Sequence, residues 1–267
     1  MLNWAIIRNF GPLLWLLAAL PAAAVRADGE HHDNVGQSIA HPLSRFDLRF
    51  KYEQFRGGDQ AEIMEARLER PFDLPNAWKL NTRVSMTGWV SDLPSADNPD
   101  GGTVVGTGDL QTQLFFIAPP VGATTIGFGW RNYFPLASAD QFGKGAYRMA
   151  PLLVVQRQAS WLPAGSFFGL GVRNDFSISA DRAHPKVNEL QIVPIVTVLL
   201  PHQSFVTLFP EIVIDWEHDN HAFVPFDFEV GRKYASDRAA SIRLQVPLVN
   251  QTHAYEWAVE ARWSWFF

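Results

Sequence analysis

The sequence contains no cysteine, which excludes a small secreted module stapled by disulfides. It has no run of basic residues, and its formal net charge is −5, so it offers no cationic field for nucleic acid. Beyond residue 27 there is no apolar stretch of about 18 residues, so no transmembrane helix is available. No helix-period segment of useful length occurs, and no linker divides the chain after its first residues. What the sequence does have is apolar and aromatic: 47% hydrophobic residues, ten Trp and twenty Phe.

The first residues carry a targeting pattern. Arg8 supplies a positive start, and an apolar run from Phe10 to Leu20 ends at Pro21. That run has the length of a signal peptide and is too short for a membrane span. Val25 and Ala27 suit the small positions before a cut at Asp28, and Ala22, Ala23 and Ala24 favour cleavage over a retained anchor helix. Residues 1–27 are therefore expected to be a cleaved signal peptide and 28–43, polar and without period, a flexible periplasmic leader. Residues 44–267 form the remaining domain.

From Ser44 onward the texture is a two-residue period. Phe46, Leu48, Phe50 and Tyr52 alternate with Asp47, Arg49, Lys51 and Glu53. One apolar face and one charged face is a strand signature. The pattern returns at Met64–Glu69, Trp78–Met86, Asp109–Phe116, Ile126–Arg131, Leu170–Ser177, Glu211–Glu217, Phe226–Glu229, Ser241–Val246 and Tyr255–Phe267. Runs near 147–158 and 188–200 are apolar on both faces. About twelve strands result, an even number that suits a transmembrane antiparallel up-and-down β-barrel. Pro151, Pro194, Pro210 and Pro225 fall inside proposed strands, where proline removes a ladder donor, and are expected at bulges or strand ends.

The connections have parity. From a periplasmic N-terminus the odd ones face outward, and the long polar segments near 92–106, 135–146 and 179–187 are the third, fifth and seventh. The even ones, such as Asp73–Asn76 and Pro201–Ser204, are short. Long loops outside and tight turns inside are the outer-membrane asymmetry. Trp78, Trp89, Trp130, Trp161, Trp216, Trp257, Trp263 and Trp265 fall near strand ends, as interfacial girdles require. The last strand ends Trp263-Ser-Trp265-Phe-Phe267. Its apolar edge, with a terminal Phe of the kind the barrel assembly machinery reads, makes that machinery an expected partner through Phe267, beside outer-membrane lipid. The expected location is the bacterial outer membrane.

Several stretches carry a family resemblance: Gly108–Pro120, Gly127-Phe-Gly-Trp-Arg131, Phe134-Pro-Leu-Ala137, Gly143–Val155, Val187–Gln191 and Ile214–Glu217. Over roughly residues 45–267 the chain resembles the outer-membrane transporter family associated with the MetA pathway of phenol degradation. The resemblance implies a barrel and a transport role. It brings no catalytic residues.

Chemistry is sparse. His31, His32, His41, His184, His202, His218, His221 and His253 fall in the leader, loops or turns, with none alternating inward beside a Ser. No catalytic residue, metal ligand or cofactor is therefore expected, and a lipid hydrolase is the weakest of the functional readings. Glu217-His-Asp-Asn-His221 and His31-His-Asp33 hold metal-ligand residue types but read as solvated segments.

The inward face is richer. Asp109, Gln111, Arg131, Arg148, Arg173, Asp175, Glu211, Asp215, Glu229, Arg243, Glu260 and Arg262 are expected to line the lumen with both signs of charge. On the two apolar runs and at residue 209 the inward positions are Leu152, Val154, Val193, Ile195, Leu199 and Phe209. Val154 and Ile195 are the candidate solute-path residues among them, because sites for small molecules combine apolar walls with a few polar groups. The expected function is an outer-membrane channel or transporter for a small, hydrophobic or aromatic solute. The alternative is a non-conducting barrel that binds or anchors through its long loops.

Overall fold

The computed structural model describes residues 34–95, 98–179, 186–252 and 254–267. The proposed signal peptide, residues 1–27, lies outside them. The strands are β1 (Arg45–Gln54), β2 (Gln60–Asp73), β3 (Lys79–Ser91), β4 (Val104–Thr107), β5 (Leu110–Ile117), β6 (Thr124–Phe134) and β7 (Tyr147–Gln158). They continue as β8 (Phe167–Ser179), β9 (Asn188–Leu200), β10 (Ser204–Leu208), β11 (Ile212–Asp215), β12 (His221–Ala235), β13 (Arg238–Asn250) and β14 (Trp257–Phe266). All neighbours are antiparallel, and β1 pairs with both β2 and β14, so the sheet closes on itself. β4 and β5 are two halves of one crossing and β10 and β11 two halves of another, which makes a twelve-stranded up-and-down barrel.

Alternation decides which side of the wall each residue takes, because successive Cβ atoms point to opposite faces of a strand. On β1 the charged set Arg45, Asp47 and Arg49 is buried inside while Phe50 is exposed outside. Phe128, Leu153, Leu170, Phe226, Ile242 and Trp263 extend the apolar exterior around the barrel. Such an inside-out distribution is stable only where lipid covers the exterior, and closure leaves no strand edge unsatisfied in it. The protein is a bacterial outer-membrane β-barrel.

Short reversals lie on the side where the chain enters β1. Asn76 and Ala77 turn there in the left-handed region, as do His202 and Gln203. The prolines take specific places. Pro151 and Pro194 point outward within β7 and β9, and the β7–β8 pairing skips Pro151. Pro210 falls in the break between β10 and β11, facing the β9 stretch from Val193 to Ile195, which neither half pairs. Pro225 sits at a register shift against β13. The inward or outward sense of β7 and β9 is unaffected, because a missing donor interrupts the ladder without inserting a residue.

Trp89 departs from the interfacial girdle. It lies on the inward face of β3, where its ring stacks on Phe142 at 5.9 Å, and its Nε1 donates to Thr87 Oγ1 at 2.9 Å. Phe142 is buried, so the 135–146 connection folds over the end of the barrel away from the start of β1. Ser95 Oγ donates to Gln141 Oε1 at 2.6 Å, which ties that connection to the preceding one.

Candidate functional site

β1, β2 and β3 present a ladder of alternating charge to the lumen. Glu69 receives Arg45 at 3.0 Å and Arg83 at 2.6 Å. Asp47, fully buried, lies 3.2 Å from Arg49 and accepts a hydrogen bond from Ser264 Oγ at 2.7 Å. Arg49 reaches Glu260 at 3.5 Å across the seam where β14 meets β1, and Arg67 pairs with Glu65 at 2.9 Å. Arg243 donates from Nε to Asp227 Oδ1 at 2.7 Å, and Arg262 pairs with Glu229. Buried charges are costly unless paired, and this network pairs acids with arginines along single strands and across adjacent ones, leaving Nε of Arg45, Arg49 and Arg83 without a hydrogen-bond partner.

Within the network lies a cavity of about 330 Å³. Seven arginines reach it: Arg45, Arg49, Arg67, Arg83, Arg131, Arg173 and Arg243. Phe115, Leu152, Val154, Val193, Ile195 and Phe209 line the same cavity. Gly127 lets the ring of Phe115 lie flat against the wall, so closely that a Cβ there would collide with it. Gly171, between Val154 and Val193, leaves its space to the lumen.

The segment expected as a leader is anchored where it is described, from Asn34 onward. Arg45 Nη1 donates to the Gly36 carbonyl at 2.7 Å, and Lys233 Nζ donates to that of Asn34 at 3.3 Å. Gln156 binds both Ser38 and Ile39. Gly36 to Ile39, with Pro42 and Leu43, forms the floor of the cavity at the end where the chain enters β1.

Of the lumen residues expected from sequence, Arg131, Val154, Arg173, Ile195, Glu211 and Arg243 line this one cavity. Asp109, Arg148 and Asp175 gather nearer the end away from the start of β1: Arg148 pairs with Asp175 and lies 3.8 Å from Asp109. Glu229, Glu260 and Arg262 belong to the ion pairs across β12, β14 and β1, and Gln111 faces inward between Ser85 and Tyr133. Asp215 stands apart from the cavity. Its carboxylate accepts the Glu217 amide at 3.0 Å and meets His218 Nδ1 at 2.8 Å, anchoring a turn whose Asp219 and Asn220 are left-handed. Leu199 lies lower, against Gln156 and Phe167 beside the leader. The arginines and acids of β1–β3, Phe115 and the leader floor were not among the residues expected at the site. The β1–β3 charges had the same alternation as a signal, whereas the leader had none.

Four described histidines, His41, His202, His218 and His221, lie in the leader, in turns or at a strand end. His31, His32, His184 and His253 lie outside the described residues. Among the described residues no group of three or more His, Asp or Glu side chains is placed to hold a metal.

Known structures share this architecture. An outer-membrane channel from Pseudomonas putida F1 superposes with a TM-score of 0.63 at 10% identity, covering 85% of this chain and 97% of that one. The fold is that of an outer-membrane channel barrel. The NanC porin follows with a TM-score of 0.56 at 14% identity, covering 83% of this chain and 98% of the other. The KdgM porin gives 0.51 at 8%, with 84% and 99% covered. No protein-family model matches the chain, and no curated protein does.

Proposed function

We propose that the protein is an outer-membrane channel that passes a small hydrophobic or aromatic solute through the barrel. One observation carries this reading. Leu152, Val154, Val193, Ile195 and Phe209 converge on a single cavity inside an otherwise charged lumen. A lumen that only packed ion pairs has no use for an apolar wall, whereas sites for small molecules combine such walls with a few polar groups. A cavity of about 330 Å³ falls at the lower end of the roughly 300–1,000 Å³ such sites occupy. The barrels it superposes on are named as channels and porins, which supports conduction. The glycine-based stretches resemble those of the phenol-linked transporter family, and we propose that family for the chain; they speak for the fold and leave the solute to the cavity.

The competing reading is a filled barrel that acts through its loops, and the leader lying across the periplasmic end favours it. Planar-bilayer recording separates the two, since a filled barrel gives no single-channel steps. For the solute, Val154→Asp and Ile195→Asp are compared with the native chain for uptake of a small aromatic compound into cells. The expected outcome is reduced uptake with the folded barrel retained in the outer membrane. Unchanged uptake in folded variants rejects the solute path.

A further inference from the structure

We infer that the solute carries a negative charge, and that Arg131 is the residue that binds it. This rests on the channel reading above and names the chemical class of its solute: a small organic anion with an apolar or aromatic body, such as an aromatic carboxylate.

The charge balance of the cavity is the first ground. Six carboxylates, Asp47, Glu65, Glu69, Glu211, Asp227 and Glu260, pair with six of the seven lining arginines. Arg131 is the lumen arginine left over: no carboxylate lies within 4.0 Å of it among the described residues. Its partners are neutral. Nε and Nη2 donate to Gln113 Oε1 at 3.2 and 3.0 Å, and Nη1 donates to the Tyr133 hydroxyl at 3.3 Å. A guanidinium has five N–H donors, so two remain, the number a bidentate carboxylate contact uses. Arg131 is thus a half-buried cation of the cavity with no carboxylate in contact, which leaves it open to an anion from outside.

The surroundings of Arg131 are the second ground. On β6 the next inward positions toward the periplasm are Gly129 and Gly127, which face Leu152 and Val154 on β7. Below the guanidinium the wall is therefore apolar: the Phe115 ring lies over Gly127, flanked by Leu152 and Val154. A ligand with a carboxylate on Arg131 sets its apolar body against Leu152, Val154 and Phe115. Orphaned donors point the same way. Nε of Arg45, Arg49, Arg83 and Arg173, all lining this cavity, are buried without a hydrogen-bond partner, against one such acceptor, Asn81 Oδ1. An anion at Arg131 adds an acceptor to a cavity with more donors than acceptors.

The test uses the full-length barrel purified in detergent and titrated calorimetrically with three probes: benzoate, acetate and benzylammonium. Benzoate is expected to bind at least about tenfold more tightly than acetate, which lacks the apolar body, and benzylammonium is expected not to bind. Arg131→Gln should weaken benzoate binding about tenfold or more, the scale of a charged hydrogen-bonded contact, and Arg131→Lys, which keeps the charge but not the two-pronged contact, should restore part of it. Thermal unfolding of each variant verifies the fold. Equal binding of benzoate and acetate, or benzoate binding indifferent to Arg131→Gln, overturns the inference. Benzoate flux into proteoliposomes is measured in parallel. Binding without flux rejects the channel and leaves the anion site standing. Flux without preference for the anion over benzylammonium rejects the anion site and leaves the channel.

Discussion

Gln156 holds the N-terminal segment with both ends of its side-chain amide: Nε2 donates to Ser38 Oγ at 2.7 Å, and Oε1 accepts the Ile39 amide at 3.0 Å. The two partners lie 118 and 117 residues away in the chain. A segment without secondary structure is thereby fastened to the inner wall of β7, beneath the cavity.

Replacing Gln156 with Ala should free that segment. Digestion of residues 34–43 by a broad-specificity protease in detergent, followed by mass spectrometry, should run faster in Gln156→Ala than in the native chain. Mean single-channel conductance should rise with it. Unchanged digestion shows that the other anchors, Arg45 to Gly36 and Lys233 to Asn34, suffice.

Asp47 is the acid on which the seam between β1 and β14 depends, since Arg45, Arg49 and Ser264 all converge on it. Asp47→Asn keeps the shape and the Ser264 contact but removes the charge, which leaves buried guanidinium groups under-neutralised. Breaking one partner of a buried pair costs about 3–5 kcal/mol. Thermal unfolding in detergent should show a clear loss of stability. Its non-additivity with Arg49→Gln should reveal the shared network; simple additivity argues against the coupling.

The absence of cysteine makes the topology directly measurable. Single substitutions Gly102→Cys and Asp73→Cys create one thiol each in a cysteine-free chain. A membrane-impermeant maleimide applied to intact cells should label position 102, in the third connection, and spare position 73, beside the short turn at Pro75–Ala77. The reverse pattern inverts the barrel in the membrane.

Phe267 donates its amide to the Ser44 carbonyl at 3.1 Å while its side chain stays half-exposed. We propose that the ring serves assembly rather than the finished fold. Phe267→Asp should therefore lower the yield of folded barrel in the outer membrane while changing the unfolding temperature of the purified protein little. Undiminished yield means that the aromatic terminus is incidental.

Much of this architecture was legible along the chain. The strict alternation of Phe46 to Glu53 fixes which side of the wall each residue occupies, because strand geometry has a period of two whatever the strand's neighbours are. The same rule placed Val154 and Ile195 inward despite the nearby prolines, since Pro151 and Pro194 interrupt hydrogen bonding without changing the count of residues. The parity of long and short connections likewise needs no coordinates.

Other features depend on which strands meet and in what register. Arg49 finds Glu260, and Asp47 finds Ser264, across 211 and 217 residues of chain, and only closure of the barrel brings β14 beside β1. That pairing separates neutralised arginines from Arg131, a distinction invisible when all of them merely alternate inward. The descent of Asn34–Leu43 along the lumen is equally a tertiary matter. A segment with no period carries no local signal, and its place is set by carbonyls and hydroxyls that meet Arg45, Gln156 and Lys233 only after the wall has formed. Periodicity along one strand determined the face of each side chain, while closure and register determined its partners.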